Sequence, residues 1–343
     1  MAYNTGPKIV TDGLVLCLDA ADRNSYAVQP ELVTDSNLST IGDGNFRTCF
    51  RDASSIAGLN IGPIISGKTY QIIWNVAARR GTTSASFRKG VSVISGSTNA
   101  NFGIGLKHHV FTSDQTGTLS FFPDGAGCDF DVDYASLREY QPTINDLSGN
   151  LNNGTLTNGP SFSGDNGGSI ALDGVSDYVT LSSSTSFSSG NNSRTISLGY
   201  LPSQIYTRRT CLFFYGNSGS TAQGFMVSSH TDGKRTQVQT YGNQASSYGN
   251  TDWSTSQMNF ITVTYDGSIV RYYMNGSLDG AATFSITPNT TLSLSPLIGE
   301  HPSGWGGENF AYGKIPFVYV YSKLLTADEV QQNYNATKGR FGL

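Results

Sequence analysis

A chain of 343 residues can bury a substantial core and has room for two domains. Only 13% of its residues are charged, about half the ~25% of typical soluble domains, and the net charge is −4. The basic residues are scattered, with Arg79-Arg80 and Arg208-Arg209 as the nearest approach to a patch, which excludes the clustered stripe of a nucleic-acid interface. Forty glycines, with 18 Tyr and 18 Phe, suggest aromatic strands joined by many turns, an all-β protein.

No apolar run approaches the ~20 residues that cross a bilayer as a helix. The opening MAYNTGPKIV lacks the apolar core of a signal peptide, so the chain is expected to be made in a cytoplasm and kept there or released by lysis. Cys17 (LVLCL) and Cys211 (CLFF) read as small buried hydrophobes. A disulfide between Cys49 and Cys128 is the minority reading for a reducing site of synthesis.

In chain order, residues 1–12 form an arm broken at Gly6-Pro7, and Gly13–Asp19 is a strand apolar on both faces, hence central. Asp22–Tyr26 is a turn. Six strands then follow: Ile61–Ile65, Tyr70–Val76, Val91–Ile94, His109–Phe111, Thr118–Phe122 and Asp129–Leu137. From Asp146 to Val179, turn signals at Asn153-Gly154, Asn158-Gly159-Pro160 and Asp165–Gly168 separate short strands. Further strands are expected at Arg194–Tyr200, Thr210–Tyr215, Gly224–Ser228, Thr236–Tyr241, Asn259–Tyr265, Ile269–Met274, Thr291–Ile298 and Ile315–Tyr321. This spacing suggests a two-sheet sandwich. Thr326–Glu329 is a capping box, Val330 and Tyr334 an i, i+4 apolar pair, and Gly339 the expected stop of one helix.

Chemistry is sparse. Asp129, Asp131 and Asp133 alternate onto one strand face, three oxygen donors suited to calcium or else a solvated edge. Asp146, Ser148, Asn150 and Asn152 have a loop spacing that lacks the closing Glu of an EF-hand, so a structural turn is expected. Glycoside hydrolysis needs two carboxyl groups about 5–9 Å apart. The five glutamates (Glu31, Glu139, Glu300, Glu308, Glu329) form no i, i+2 pair on a strand, leaving Glu300 and Glu308 as faint candidates. Nucleophile elbow, phosphate loop and Cys-x-x-Cys are all missing from the sequence. A binding role has more support. The loop His301–Asn309 offers Trp305 for stacking on a sugar ring, with Glu308 and Asn309 to bond hydroxyls. Trp253, Tyr241 and Tyr248 lie in a second Ser/Asn/Gly-rich segment, whereas Trp74 alternates with core residues.

DLSGN-x-NNGTLTNGP followed by GGSI-x-LDG-x-xDYV resembles the opening of a laminin-G-like domain with the concanavalin-type jelly roll. GLVLCLDAADRNSY upstream, and FITVTYDG…YYMNG, PLIGE and KIPFVYVYSKLLTADEVQQNY downstream, match that pattern's other segments in order. The combination is similar to domains of tail fibres and surface proteins of tailed bacteriophages. Where that family has a short linker, this chain carries roughly 116 residues, Ala27 to Pro142. Their ends, ELVTDSNLS and DFDVDYASLREY, resemble a carbohydrate-binding-module-like jelly roll. The resemblance therefore implies an all-β concanavalin-type two-sheet sandwich from residues 1–26 and 143–343, with a second jelly roll inserted at 27–142 and one short C-terminal helix. It implies a structural calcium near Asp133, or near Asp173 and Asp177, with no cofactor required.

The expected function is that of a non-enzymatic virion surface protein, a capsid decoration or a head or tail fibre component. Its partners would be other virion proteins and host surface glycans, without membrane insertion, and it would be a homo-oligomer, a trimer by preference. The alternative is a soluble polysaccharide-binding protein or a glycoside hydrolase of the same fold.

Overall fold

In the computed structural model of the chain, the structure describes residues 8–22, 24–26, 31–33, 38, 47–51, 56–57, 59–80, 85–89, 92–93, 104–123, 128–164, 167–182, 185–302 and 310–343. The chain forms two compact units, one of residues 1–27 and 142–343, the other of residues 28–141. It is an all-β chain of antiparallel sheets with one α-helix among the described residues.

In the first unit, a nine-stranded sheet runs Ser161–Ser163, Ser169–Asp173, Tyr312–Ile315, Arg194–Pro202, Asn259–Tyr265, Ile269–Met274, Ser277–Thr283, and Phe317–Tyr321 joins Arg194–Pro202 to Leu14–Asp19. An eight-stranded sheet runs Thr143–Ile144, Gly154–Thr157, Tyr178–Leu181, Leu294–Ile298, Cys211–Gly216, Gly224–Ser229, Thr236–Thr240, Asn243–Gln244. Ile196, Leu198, Phe213, Tyr215, Phe225, Val227, Ile261 and Val263 are buried core residues. Most of these strands are apolar at alternate positions, the period at which successive side chains point to opposite faces.

The central strand Arg194–Pro202 is buried on both faces, since the opposite face of its sheet has its own cover. There Cys17, Phe260, Tyr273, Phe317, Tyr319 and Tyr321 pack with Leu325 and Val330. The helix Ala327–Thr337 starts at Thr326, whose side chain accepts from Glu329 N–H while Glu329 answers on Thr326 N–H. Tyr334, four residues after Val330, meets Phe260 edge-on at 5.7 Å. Gly339 is not the stop: the helix passes into a 3-10 turn, Lys338–Phe341, and Gly342 takes the left-handed conformation (φ 69°). Asn333, fully buried, accepts from Val10 N–H at 2.8 Å and donates to the Tyr321 hydroxyl at 2.9 Å. That amide ties the first described residues to the helix.

The DLSGN segment is a fastener between distant parts of the chain. The Asp146 carboxylate accepts from the backbone N–H groups of Cys17, Ser148 and Asn152 and from the Ser148 hydroxyl, at 2.8–3.0 Å. Asn152 donates to Val15 O at 2.7 Å. The segment is the structural turn its spacing predicts, and its acceptors hold the N-terminal strand.

In the second unit, a five-stranded sheet (Ile56–Ala57, Arg47–Arg51, Cys128–Glu139, Thr69–Arg80, Gly105–Thr112) and a four-stranded sheet (Leu59–Ile64, Gly117–Pro123, Ala85–Lys89, Ser92–Val93) share a core around Trp74, Ile72, Leu119, Phe121, Phe130 and Leu137. The register slips between Asp131 and Tyr134, a bulge centred on Asp133. The strict alternation expected of Asp129, Asp131 and Asp133 therefore breaks, and Asp133 is buried with Oδ1 accepting from Asn75 Nδ2 at 2.7 Å.

Candidate functional site: the loop end of the first unit

Strand register brings several connections to one end of the first unit. Asp173 pairs with Tyr312, Pro202 with Gly313 and Tyr200 with Asn259 in one sheet. Ser229 pairs with Thr236 and Phe213 with Ile298 in the other. The connections 174–177, 203–210, 230–235 and 245–258, and the segments 299–302 and 310–311, therefore lie at the same end of the sheets.

The first connection is a tight turn built by its own carboxylates. Asp173 Oδ1 accepts from the N–H groups of Val175, Ser176 and Asp177 at 2.8–3.0 Å. Asp177 Oδ2 accepts from Asp173 N–H at 3.2 Å. The two acids diverge as a result. Burial pushes the Asp177 carboxyl up, reinforced by the Asp173 charge and only partly offset by the Asp173 N–H, to about 7. Asp173 is also raised by burial, but its backbone hydrogen bonds outweigh that and hold it below the usual range. Gly174 is left-handed (φ 72°), and a Cβ there would meet Tyr312 Cβ at 2.5 Å and the Tyr206 hydroxyl at 2.9 Å.

Tyr206 is the link to the next connection, because a Cβ on Gly233 (φ 77°) would fall 1.5 Å from Tyr206 O. Only glycine lets the 230–235 hairpin come so close. In that hairpin Asp232 accepts from Lys234 N–H at 2.9 Å and from Arg235. Partial burial raises the Asp232 carboxyl, but these bonds together take it down to about 2. His230 stands 4.0 Å from the Tyr248 ring and the Arg235 guanidinium 4.2 Å from it. The Tyr248 segment is pinned from below: Gly249 N–H donates to Thr236 O, Asn250 Nδ2 to Asp279 O, and Thr251 N–H and Oγ1 to the buried Asp279 carboxylate.

The residues singled out in the sequence separate here. Trp253 is only 5% exposed, donates from Nε1 to Thr236 Oγ1 at 3.0 Å and meets Tyr200 edge-on at 5.3 Å. It is a core residue rather than a stacking surface, because a Ser/Asn/Gly-rich neighbourhood hides the inward turn. Tyr248 does sit on the rim, but His230 and Arg235 already compete for its ring. Trp305, Glu308 and Asn309 lie outside the described residues. Glu300, also on this rim, has its carboxyl raised by burial, with His301 pulling the other way. Asp173 and Asp177 are brought together; Asp133 belongs to the other unit.

The fit of these residues to calcium can be judged from their partners. Asp173 Oδ2 has only a long 3.5 Å bond from Ser176, and Asp177 Oδ1 has no hydrogen-bond partner among the described residues. Two such oxygens are a fraction of the six to eight that calcium takes. Among the described residues, no group of three or more His, Cys, Asp or Glu side chains is placed to hold a metal. Sequence reasoning missed Tyr206, His230, Asp232 and Arg235. The TDGK turn at 231–234 was their one available signal.

The two antiparallel sheets of the first unit define a concanavalin-type β-sandwich. Residues 173–331 match the family model described as the Concanavalin A-like lectin/glucanases superfamily. No curated protein sequence matches the chain. Among solved structures it is similar to domain 4 of AbnA, a GH43 extracellular arabinanase from Geobacillus stearothermophilus in complex with arabinotriose (22% identity, 55% of this chain, 91% of that one, TM-score 0.44). It is also similar to the Ruminococcus gnavus IT-sialidase CBM40 bound to α2,3-sialyllactose (15% identity, 48% and 94% covered, TM-score 0.40). A third is botulinum neurotoxin type C, in a structure concerned with two ganglioside molecules (14% identity, 58% of this chain, TM-score 0.41). The match spans about half, 49%, of that toxin chain.

Proposed function

We propose that the protein is a non-enzymatic glycan-binding module exposed on a bacteriophage particle, as a capsid decoration or a fibre component. The loop end of the first unit would contact host surface glycans. The observation that carries the binding reading is the contiguous rim in which Tyr206 connects the Asp173 turn to the His230–Arg235 hairpin and Tyr248. Phenol rings, carboxylates, a guanidinium and an imidazole share that rim, the mixture of apolar faces and hydrogen-bonding groups that suits a sugar. The particle assignment rests on the order of segments that resembles phage surface proteins, and neighbouring virion proteins and a trimeric assembly belong to the same proposal. So does the carbohydrate-binding-module-like character of the second unit.

A glycan array with the purified protein tests the binding reading, with Tyr206→Ala, Tyr248→Ala and Trp305→Ala as variants. Loss of a retained glycan in Tyr206→Ala and Tyr248→Ala is the expected result; binding unchanged in both removes the rim as the site, and binding unchanged in Trp305→Ala removes that residue. Immunogold microscopy of purified particles tests the particle assignment, and unlabelled particles would overturn it.

The hydrolase reading has one observation in its favour: two neighbouring carboxyls whose environments push them apart, Asp177 up and Asp173 down. Against it, Asp177 is only 4% exposed and Asp173 Oδ1 is occupied by three N–H groups of its own turn. Reducing-sugar release from envelope polysaccharide that disappears in Asp177→Asn would decide for the enzyme.

A further inference from the structure

A polar cavity lies away from the loop end. It has a volume of about 350 Å³ and is lined by Asp19, Ala21, Asp22, Asn335, Ala336, Thr337, Gly339 and Arg340. Two distant stretches build it, the turn after the first strand and the end of the helix with its 3-10 extension, and Arg340 also ties them to the residue before the strand Ser169–Asp173. Arg340 holds them together, donating from Nη1 to Asp19 Oδ1 and from Nη2 to Gly168 O, each at 2.6 Å. Asp19 Oδ1 also accepts from Ala21 N–H at 2.9 Å, so the turn is fixed by the same carboxylate.

We propose that this cavity is a second binding site, for a single neutral saccharide residue. Its size is at the small end of the ~300–1,000 Å³ range of ligand sites, as suits a ligand no larger than a mono- or disaccharide. Its lining is matched to hydroxyl groups rather than to an apolar molecule. Asp22 Oδ1 accepts from Asn24 N–H at 2.8 Å, while Oδ2 has no hydrogen-bond partner among the described residues. Asn335 Oδ1 accepts from Gln331 Nε2 at 3.3 Å, and its Nδ2 likewise has no partner among the described residues. A carboxylate oxygen that accepts, from the turn, and an amide that donates, from the helix, serve a polyol whose hydroxyls offer both functions. Arg340 neutralises Asp19, which leaves Asp22 as the single net charge among the lining side chains. Ala21, Ala336 and Gly339 keep the walls small, and a Cβ added at Gly339 would meet nothing within 4 Å.

The ligand class rests on the glycan-binding reading above, while the location does not. The test is an amide chemical-shift titration of the full chain with methyl α-mannopyranoside, methyl β-galactopyranoside, N-acetylglucosamine and, as a cationic control, glucosamine. The expected result is saturable shifts at Ala21, Asp22, Asn335 and Gly339 with a neutral sugar. Asp22→Asn keeps the Oδ1 acceptor and is expected to weaken binding about tenfold, the loss of a bond to a charged group. Gly339→Trp fills the cavity from a position that is not left-handed, and is expected to abolish the shifts while leaving the melting temperature near that of the native chain. No shift at these four amides with any neutral sugar, shifts only with glucosamine, or shifts that persist in both variants would overturn the proposal. Amides of Tyr206, His230 and Tyr248 in the same titration report on the loop end, so failure at either place is read separately.

Discussion

The Arg194 guanidinium donates from Nη1 to the Tyr215 hydroxyl at 2.8 Å, with both side chains wholly buried and, among the described residues, no carboxylate bonded to the cation. Its other donors go to Thr290 Oγ1, Gly190 O and Asn192 O. Phe225 and Tyr265 add ring faces at 4.9 and 5.6 Å. A buried charge is tolerable when every donor is met and π faces replace a counter-ion. Arg194→Met is therefore expected to lower stability by about 2–4 kcal/mol through the orphaned acceptors. Thermal midpoints of the two proteins measure it; an unchanged midpoint would mean the cage relaxes without cost.

Asp177 makes stability depend on pH. Its folded carboxyl keeps a proton up to about 7, whereas an unfolded Asp loses it near ~3.9. The folded state therefore binds the proton more tightly, and this contribution is full below pH 4 and fades as pH rises towards 7. Asp177→Asn, permanently neutral, is expected to flatten the melting curve across that window and to melt higher than the native chain at pH 7.5. A native chain no more pH-sensitive than the variant would refute this.

Calcium at the same turn acts in the opposite direction, since a cation favours the ionised carboxylate. If calcium binds there, melting at pH 7.5 rises with added calcium and falls with EDTA, and Asp177→Asn removes the response. A midpoint indifferent to EDTA removes the calcium proposal.

Trp253 and Tyr248 have different expected costs. Trp253→Ala empties a core site beside Tyr200 and is expected to cost about 3–5 kcal/mol. Tyr248→Ala on the rim is expected to cost far less and to act on glycan binding. Equal midpoints for the two variants would contradict this division.

Asn333 joins Val10 to Tyr321, and Asn333→Ala is expected to cost about 1–3 kcal/mol for the two buried groups left behind. Faster hydrogen exchange at Val10 N–H, with the loop end unaffected, is the confirming measurement.

Strands with strong apolar alternation were readable from the sequence. Asn259–Tyr265 and Ile269–Met274 fall where the pattern puts them, and Asn275 (φ 51°) with Gly276 (φ 79°) makes the turn after the latter. Ser277–Thr283 was not readable, because an edge strand of sequence SLDGAAT needs neither aromatic nor β-branched residues to pair on one side. The capping box was legible because both partners are local, while the stop slipped from Gly339 to Gly342 because a 3-10 turn continued the helix. The site was less readable for the same reason throughout: Tyr206, Gly233 and Gly174 are brought together by sheet register, which single-residue chemistry does not encode. Trp253 shows the reverse error, a polar neighbourhood around an inward ring.

The pairing of Leu14–Asp19 with Phe317–Tyr321 sets an order of events during synthesis. The first strand leaves the ribosome early and waits, unpaired and apolar on both faces, for a partner about 300 residues later. At the ~5–20 residues per second of translation this is an interval of tens of seconds. The second unit has its described strands between residues 47 and 139 and can complete its sheets within that time. The waiting strand is therefore the segment most open to mispairing or chaperone capture until Phe317–Tyr321 arrives to pair with it.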